Sequence, residues 1–288
     1  MASNLTQRVL FAVVAIPLAI GLVWLGGWPL AFLVAAIAAL GVRELFDIAA
    51  RRGSMALRPS GEILAAVVPL ATYGALSDPM VATWLATWWP HLGALVVVAW
   101  LIGLLLARRA DQSPLPAISI TIFAVIYASA LPSFLLAIRH GSHGTQSWAG
   151  TALVFFPLVV VWVCDSAAMF GGKAIGGPKL APSISPGKTR SGGIAGLVGG
   201  VIVAPLFALL VFPTVDIALA LGPAIAMALI WSVIGQLGDL AESLFKREAG
   251  VKDSSNLIPG HGGVLDRFDA LYLVTPVAAI CYALAGLA

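Results

Sequence analysis

The chain of 288 residues is 60% apolar and only 10% charged, with a net charge of +3 carried by 16 Lys or Arg against 13 Asp or Glu. A soluble domain has roughly a quarter charged residues, so this composition excludes a water-soluble globular fold. The basic residues are scattered between apolar blocks instead of forming a stripe, which argues against a nucleic-acid partner and makes them reporters of membrane topology.

Taken in chain order, the apolar blocks have the length of about twenty residues needed to cross a ~30 Å hydrocarbon layer as a helix. They predict an all-α, polytopic integral membrane protein of about nine transmembrane helices, over 9–26, 28–48, 61–77, 92–107, 117–138, 149–171, 192–212, 217–243 and 268–287. The first block follows Arg8 without a small-x-small cleavage site and reads as a retained helix. The stretch Pro79 to Pro90, holding Trp84, Trp88 and Trp89, is short and aromatic and reads as an interfacial segment. With the N-terminus cytoplasmic and the C-terminus non-cytoplasmic, 15 of the 16 cations fall on the cytoplasmic side and only Arg139 lies outside, the asymmetry expected of membrane loops.

Composition divides the chain near residue 140. Residues 1–140 form N-terminal membrane helices with short loops, and 141–288 a catalytic membrane domain carrying two cytoplasmic polar loops, 173–191 and 246–267, that can meet around an active site. Cys164 and Cys281 sit in apolar blocks and read as packing residues. Gly192, Gly196 and Gly200 form a small-xxx-small ridge, a helix-packing surface. His91, His140 and His143 have no clustered acidic partners and receive no role.

Three segments carry chemistry. The first runs from Ser243 to Asp269 and gathers Lys246, Arg247, Glu248, Lys252, Asp253, Asp266, Arg267 and Asp269 around His261, with Gly260, Gly262 and Gly263 beside it. Glycine lets backbone approach a ligand closely, which suits a phosphate. Asp266 and Asp269, three apart at the start of the last helix, share a face and are expected to hold a divalent cation. The second is Gly238-Asp239-Leu240-Ala241-Glu242-Ser243, where Asp239, Glu242 and Ser243 share one face near a span's end. Ionisable groups inside a span cost about 2.5–3.5 kcal/mol on the insertion scale, so they face a cavity or a partner. The third joins Asp165 and Ser166 in the sixth span to Lys173, Lys179, Ser185, Lys188, Thr189 and Arg190, cations interleaved with glycines and hydroxyls that suit polyphosphate. It is not a Walker A loop, since Pro182 stands where the required glycine would be.

Together these segments resemble the phosphatidate cytidylyltransferase family, the CDP-diacylglycerol synthases. The resemblance rests on the signature S-x-x-K-R-x4-K-D-x4-[aliphatic]-P-G-H-G-G-[aliphatic]-x-D-R-x-D, matched at Ser243, Lys246, Arg247, Lys252, Asp253, Pro259, Gly260, His261, Gly262, Gly263, Asp266, Arg267 and Asp269. The elements D-S-x-A at Asp165, S-P-x-K-T at Ser185 to Thr189 and G-D-L-x-E-S at Gly238 to Ser243 are similar too. It covers about residues 150–288 in detail. One departure stands in the S-P-x-K-T loop: many relatives carry Glu or Gln where this chain has Ser191, which puts nucleotide affinity there in question.

The resemblance implies attack of a phosphatidate oxygen on the α-phosphorus of CTP, with Mg²⁺ assisting, a second cation admissible, and pyrophosphate leaving. It also implies an enzyme of phospholipid biosynthesis in a bacterial inner membrane with its site toward the cytoplasm, and, with the glycine ridge, a homodimer. On this reading Asp239, Asp266, Asp269, Asp165 and Glu242 are the metal carboxylates. Asp239, Asp266, His261 and Lys252 act in the reaction, and Lys188, Thr189, Ser185, Lys246, Arg247, Arg267, Lys173, Gly262 and Gly263 bind substrate. Three other readings compete, one of them a non-catalytic lipid-binding scaffold, which would not need four carboxylates beside the phosphate-binding cations. A CTP-dependent lipid kinase would transfer the γ-phosphate instead, against the long signature. An anion transporter would spread its ionisable groups through the membrane's depth, whereas here they gather at one face.

Overall fold

A computed structural model describes Val13, residues 16–258 and residues 262–287. Helix α1 (Ile16–Leu25) is followed by eight longer helices: α2 (Gly27–Ala50), α3 (Arg58–Ser77), α4 (Pro79–Ala107), α5 (Pro114–His140), α6 (Trp148–Ile175), α7 (Arg190–Val215), α8 (Leu221–Glu248) and α9 (Leu265–Leu284). Each of these eight is long and apolar enough to cross a membrane, and the chain is an all-α polytopic membrane protein. The block expected over 9–26 is described as α1, while residues 9–12, 14 and 15 lie outside the described residues.

Two expectations are corrected. The aromatic stretch Pro79 to Pro90 is not a separate interfacial segment but the first three turns of α4. Asp78 caps it by accepting from the Met80 N–H at 2.8 Å, and Pro79 occupies the first turn, where its missing N–H is harmless. Trp84, Trp88 and Trp89 point outward from this peripheral helix, which buries only Trp100 and Leu104. The stretch 173–191 is not a plain loop either. Helix α6 continues to Ile175, and strands β1 (Lys179–Ala181) and β2 (Ser185–Thr189) form an antiparallel hairpin, the only sheet among the described residues.

The glycine ridge of α7 packs inside the chain. A Cβ on Gly196 would stand 3.0 Å from the Cys164 carbonyl and 3.1 Å from the Ala168 methyl, both on α6, and Gly200 lies against Ser232 of α8. Helix α7 is thus held between α6 and α8, and the ridge presents no free face to a second copy. Deeper in the bundle, Phe156, Phe207, Phe212 and Trp231 of the same helices and Tyr282 of α9 form a buried aromatic cluster with neighbouring ring centroids 4.9–5.6 Å apart.

Contacts tie the helix ends together. At one end Arg139, fully buried, donates to the carbonyls of Val23, Trp24 and Gly144, and the Gly27 N–H donates to His140 Nε2. Arg139 therefore satisfies orphaned carbonyls at a helix end, and His140, unassigned from sequence, satisfies a helix-start N–H. The two polar loops lie at the opposite end. We expect Gly196→Leu to lower the thermal midpoint of the detergent-solubilised protein, by about 1–3 kcal/mol of overpacking. Gly103→Leu on α4, where nothing lies within 4 Å of an added Cβ, should leave it unchanged.

Candidate active site

The end of the bundle that gathers the polar loops contains a cavity of about 640 Å³ lined by α6, the hairpin, the start of α7 and α8. Its charged wall is made of Asp165, Lys173, Lys179, Lys188 and Asp239, and Ser185, Thr189 and Gln236 add neutral polar groups. A second large cavity, near Trp148 and Phe207, is lined without any ionisable side chain. Ligand sites for small polar molecules need convergent polar groups, so the first is the candidate.

Each side chain is placed by local structure. Helix α6 carries Asp165 and Lys173 and ends at Gly176, whose φ of +67° turns the chain into the hairpin. Thr189 closes β2 and caps α7 by accepting from the Gly192 N–H at 3.1 Å. Ser191 donates to the Gly176 carbonyl and lies 3.0 Å from Thr189 Oγ1. Its hydroxyl thus ties two walls of the cavity together. Across the cavity Lys188 Nζ meets Asp239 Oδ2 at 2.5 Å, joining the hairpin to α8. Gln236, one turn before Asp239, donates to the Gly193 carbonyl at 3.1 Å. Arg247 donates to the Ile184 carbonyl at the hairpin turn, 3.2 Å, and to the Val251 carbonyl, 2.8 Å, so the two polar loops do meet.

The signature residues separate into two groups. Asp269 does not line the cavity, and its Oδ1 accepts from the Ala270 N–H at 2.7 Å, within α9 itself. Asp266, one turn earlier, faces a different set of donors. Its Oδ1 receives Lys246 Nζ at 2.6 Å, and its Oδ2 receives the Ser254 and Gly263 N–H groups at 2.8 Å each, with Ser254 Oγ also at 2.8 Å. Lys246 reaches back to Glu242 Oε2 at 2.9 Å, and Glu242 is wholly buried with Oε1 unpartnered. Asp266 and Asp269 thus do not share one ligand position, because the donors of the 254–263 loop occupy Asp266. Gly262 and Gly263 press against Asp266 and Glu44 rather than lining the cavity. Lys252 is exposed away from it, Arg267 lies exposed on the first turn of α9, and His261 is outside the described residues.

Two polar residues escaped the sequence reading. Gln236 carried a signal, a polar side chain three positions before Asp239 on the same helical face. Glu44 carried another, an ionisable group inside an apolar block; it is buried against the 254–265 segment.

Among the described residues no group of three or more His, Cys, Asp or Glu side chains is arranged to hold a metal ion. Mg²⁺, however, is commonly held by one or two carboxylates together with substrate phosphates and waters. Asp165 and Asp239, both facing a cavity that also presents lysines, fit that mode and do not fit an all-protein cage.

A family model described as the cytidylyltransferase family matches residues 6–285. The chain belongs to that family. It is similar to a phosphatidate cytidylyltransferase of Synechocystis sp., 32% identical over 294 residues that cover 94% of each chain. Proteins of the same name from Haemophilus influenzae and Bacillus subtilis are 42% and 47% identical over 147 and 128 residues, about half of each chain. As a cytidylyltransferase the chain is a nucleotidyl-transferring enzyme, and its cationic cavity has the character that a nucleoside triphosphate requires.

In this cytidylyltransferase Arg247→Ala should release the hairpin turn. Amide hydrogen exchange over 182–187 is expected to rise while that of the α6 core around Val160 stays constant, as read by mass spectrometry.

Proposed function

We propose that this enzyme makes CDP-diacylglycerol and pyrophosphate from CTP and phosphatidate, and that the cavity beside Lys188 and Asp239 is where it does so. The observation that carries the reading is the Lys188–Asp239 contact of 2.5 Å within a wall of further lysines. A cation and a carboxylate held together at a cavity wall can exchange partners: the lysine turns to a phosphate and the carboxylate to the cation that accompanies it.

In the reaction a phosphate oxygen of phosphatidate forms a bond to the α-phosphorus of CTP, and the bond from that phosphorus to the bridging oxygen of the β-phosphate breaks. The electron pair leaves with pyrophosphate. No protein nucleophile is needed, since the lipid phosphate already is one. Both substrates are anions, so the task of the protein is positioning and charge neutralisation. Lys188, Lys173 and Lys179 bind and orient the triphosphate, the Ser185 and Thr189 hydroxyls lie beside it, and Asp165 and Asp239 are the residues that would hold Mg²⁺. When bound, Mg²⁺ supplies neutralisation of the charge that develops on the phosphate oxygens. Asp266, Lys246 and Glu242 act from behind, by holding the end of α8 against the start of α9.

The cation-rich end is proposed to face the cytoplasm, where CTP is found, from a bacterial inner membrane; the bias of basic residues and the bacterial relatives support this. Phosphatidate is proposed to reach the cavity from the bilayer. Purified enzyme given phosphatidate, Mg²⁺ and CTP labelled at the α or the γ phosphate tests the reaction: label in the lipid from α alone is expected, whereas label from γ alone would make it a lipid kinase. Asp239→Asn should lower turnover by about 10²–10³-fold, the scale for losing one electrostatic stabiliser, with the protein still monodisperse. Activity within a few fold of wild type would remove Asp239 from the site.

A further inference from the structure

Glu44 lies in the N-terminal half, on α2, at 4% exposure. Its Oε1 lies 2.7 Å from Ser255 Oγ and 2.9 Å from the Val264 N–H, and its Oε2 lies 2.8 Å from Ser254 Oγ and 2.9 Å from the Leu265 N–H. Four donors, all from a segment more than 200 residues away in sequence, converge on one carboxylate. Two are the backbone N–H groups where α9 begins, which have no partner inside the helix and carry the positive end of its dipole. The carboxylate therefore anchors the start of α9 both along its axis and in rotation. Ser254 Oγ stands 2.8 Å from Asp266 Oδ2 as well, so its one proton is shared between the two carboxylates, and the anchor extends to Asp266 and through it to Lys246.

The start of α9 is coupled to the cavity by direct backbone contact. A Cβ on Gly238 would stand 2.8 Å from the Asp269 carbonyl and 3.0 Å from Ala270 Cα, so α8 and α9 touch with no side chain between them at the residue preceding Asp239. A displacement of α9 at this contact moves Gly238, and Asp239 with it. We propose that Glu44 is a positioning residue for cytidylyl transfer: it fixes α9, whose contact with Gly238 sets Asp239 opposite Lys188. The N-terminal half then does more than embed the enzyme in the bilayer. The proposal rests on the cytidylyl-transfer reading and adds a residue outside the cavity to it.

The test uses the full-length enzyme with Glu44→Gln, Glu44→Asp and Ser255→Ala. Gln keeps the shape but turns an NH₂ toward a backbone N–H that cannot accept, so one of the two N–H groups at the start of α9 loses its acceptor. Expected for Glu44→Gln is a fall in kcat of about tenfold or more with the KM for CTP within about twofold, because the lysines that hold the triphosphate are untouched. The fraction of protein that binds a non-hydrolysable CTP analogue should stay as in wild type, and amide exchange should rise at Val264, Leu265 and residues 238–240. Glu44→Asp, which keeps two acceptor oxygens on a shorter arm, should recover part of the turnover. If Glu44→Gln does not fold, Ser255→Ala, which removes one donor of four, should show the same pattern at smaller amplitude. A kcat within about twofold of wild type, or a loss matched by an equal loss of nucleotide-binding protein, overturns the proposal. Should wild-type enzyme transfer no cytidylyl group, the functional reading falls by itself, and exchange at 238–240 decides the positioning: a rise upholds it and no change overturns it.

Discussion

A carboxylate among apolar helices must be met by donors or by open polar space, since an uncompensated charge in such surroundings is costly. This chain uses both solutions at one end of the bundle. Asp266 and Glu44 are filled, each by donors from the 254–265 segment. Asp165 and Asp239 are left facing a cavity with lysines in its wall. The filled pair makes the polar end rigid, and the open pair makes it able to take a ligand. Swapping the roles would leave either a slack scaffold or a blocked site.

Lys246 is the hinge between the two sets. It lies between Glu242 on its own helix and Asp266 on the next, at 2.9 and 2.6 Å, and so binds the end of α8 to the start of α9 where the backbones already touch at Gly238. Truncating it would leave two buried carboxylates facing each other, a larger penalty than the loss of the pair itself. On the other side of α8, Arg247 and Asp239 hold the hairpin by its turn and by Lys188. One helix end thus organises both polar segments. The small residues of α7 bring α6 and α8 close enough to share a cavity wall, so membrane packing by glycine and polar chemistry are parts of one construction.

That construction gives several residues of the long C-terminal signature partners within the protein. Gly262 and Gly263 lie where a Cβ would meet Asp266 and Glu44, and Lys246 is paired with Glu242 and Asp266. The residues at the cavity come mainly from the shorter upstream elements around Asp165, Lys188 and Asp239. Dense signatures mark backbone geometry as well as chemistry, because a loop that must hold one exact shape constrains every residue in it.

The sequence by itself determined the solvent, eight of the nine expected spans and the end of the bundle where the charges gather, because hydropathy and the distribution of cations are local properties of each segment. It singled out Asp165, Lys188 and Asp239 on the same ground, as polar groups where apolar ones were due. It also supplied the polar loops, though not that one of them is half helix and hairpin, since hydrogen bonding between β1 and β2 depends on the turn between them. Only the tertiary structure decided that Asp266 and Asp269, neighbours on one helix, serve different partners. It alone decided that Glu44 reaches a segment more than 200 residues away, that Ser191 ties two cavity walls, and that Arg139 is a buried donor and not an outer loop charge. Periodicity reports which face of a helix is buried; which helix covers that face is settled by packing between distant segments, and no local pattern encodes it.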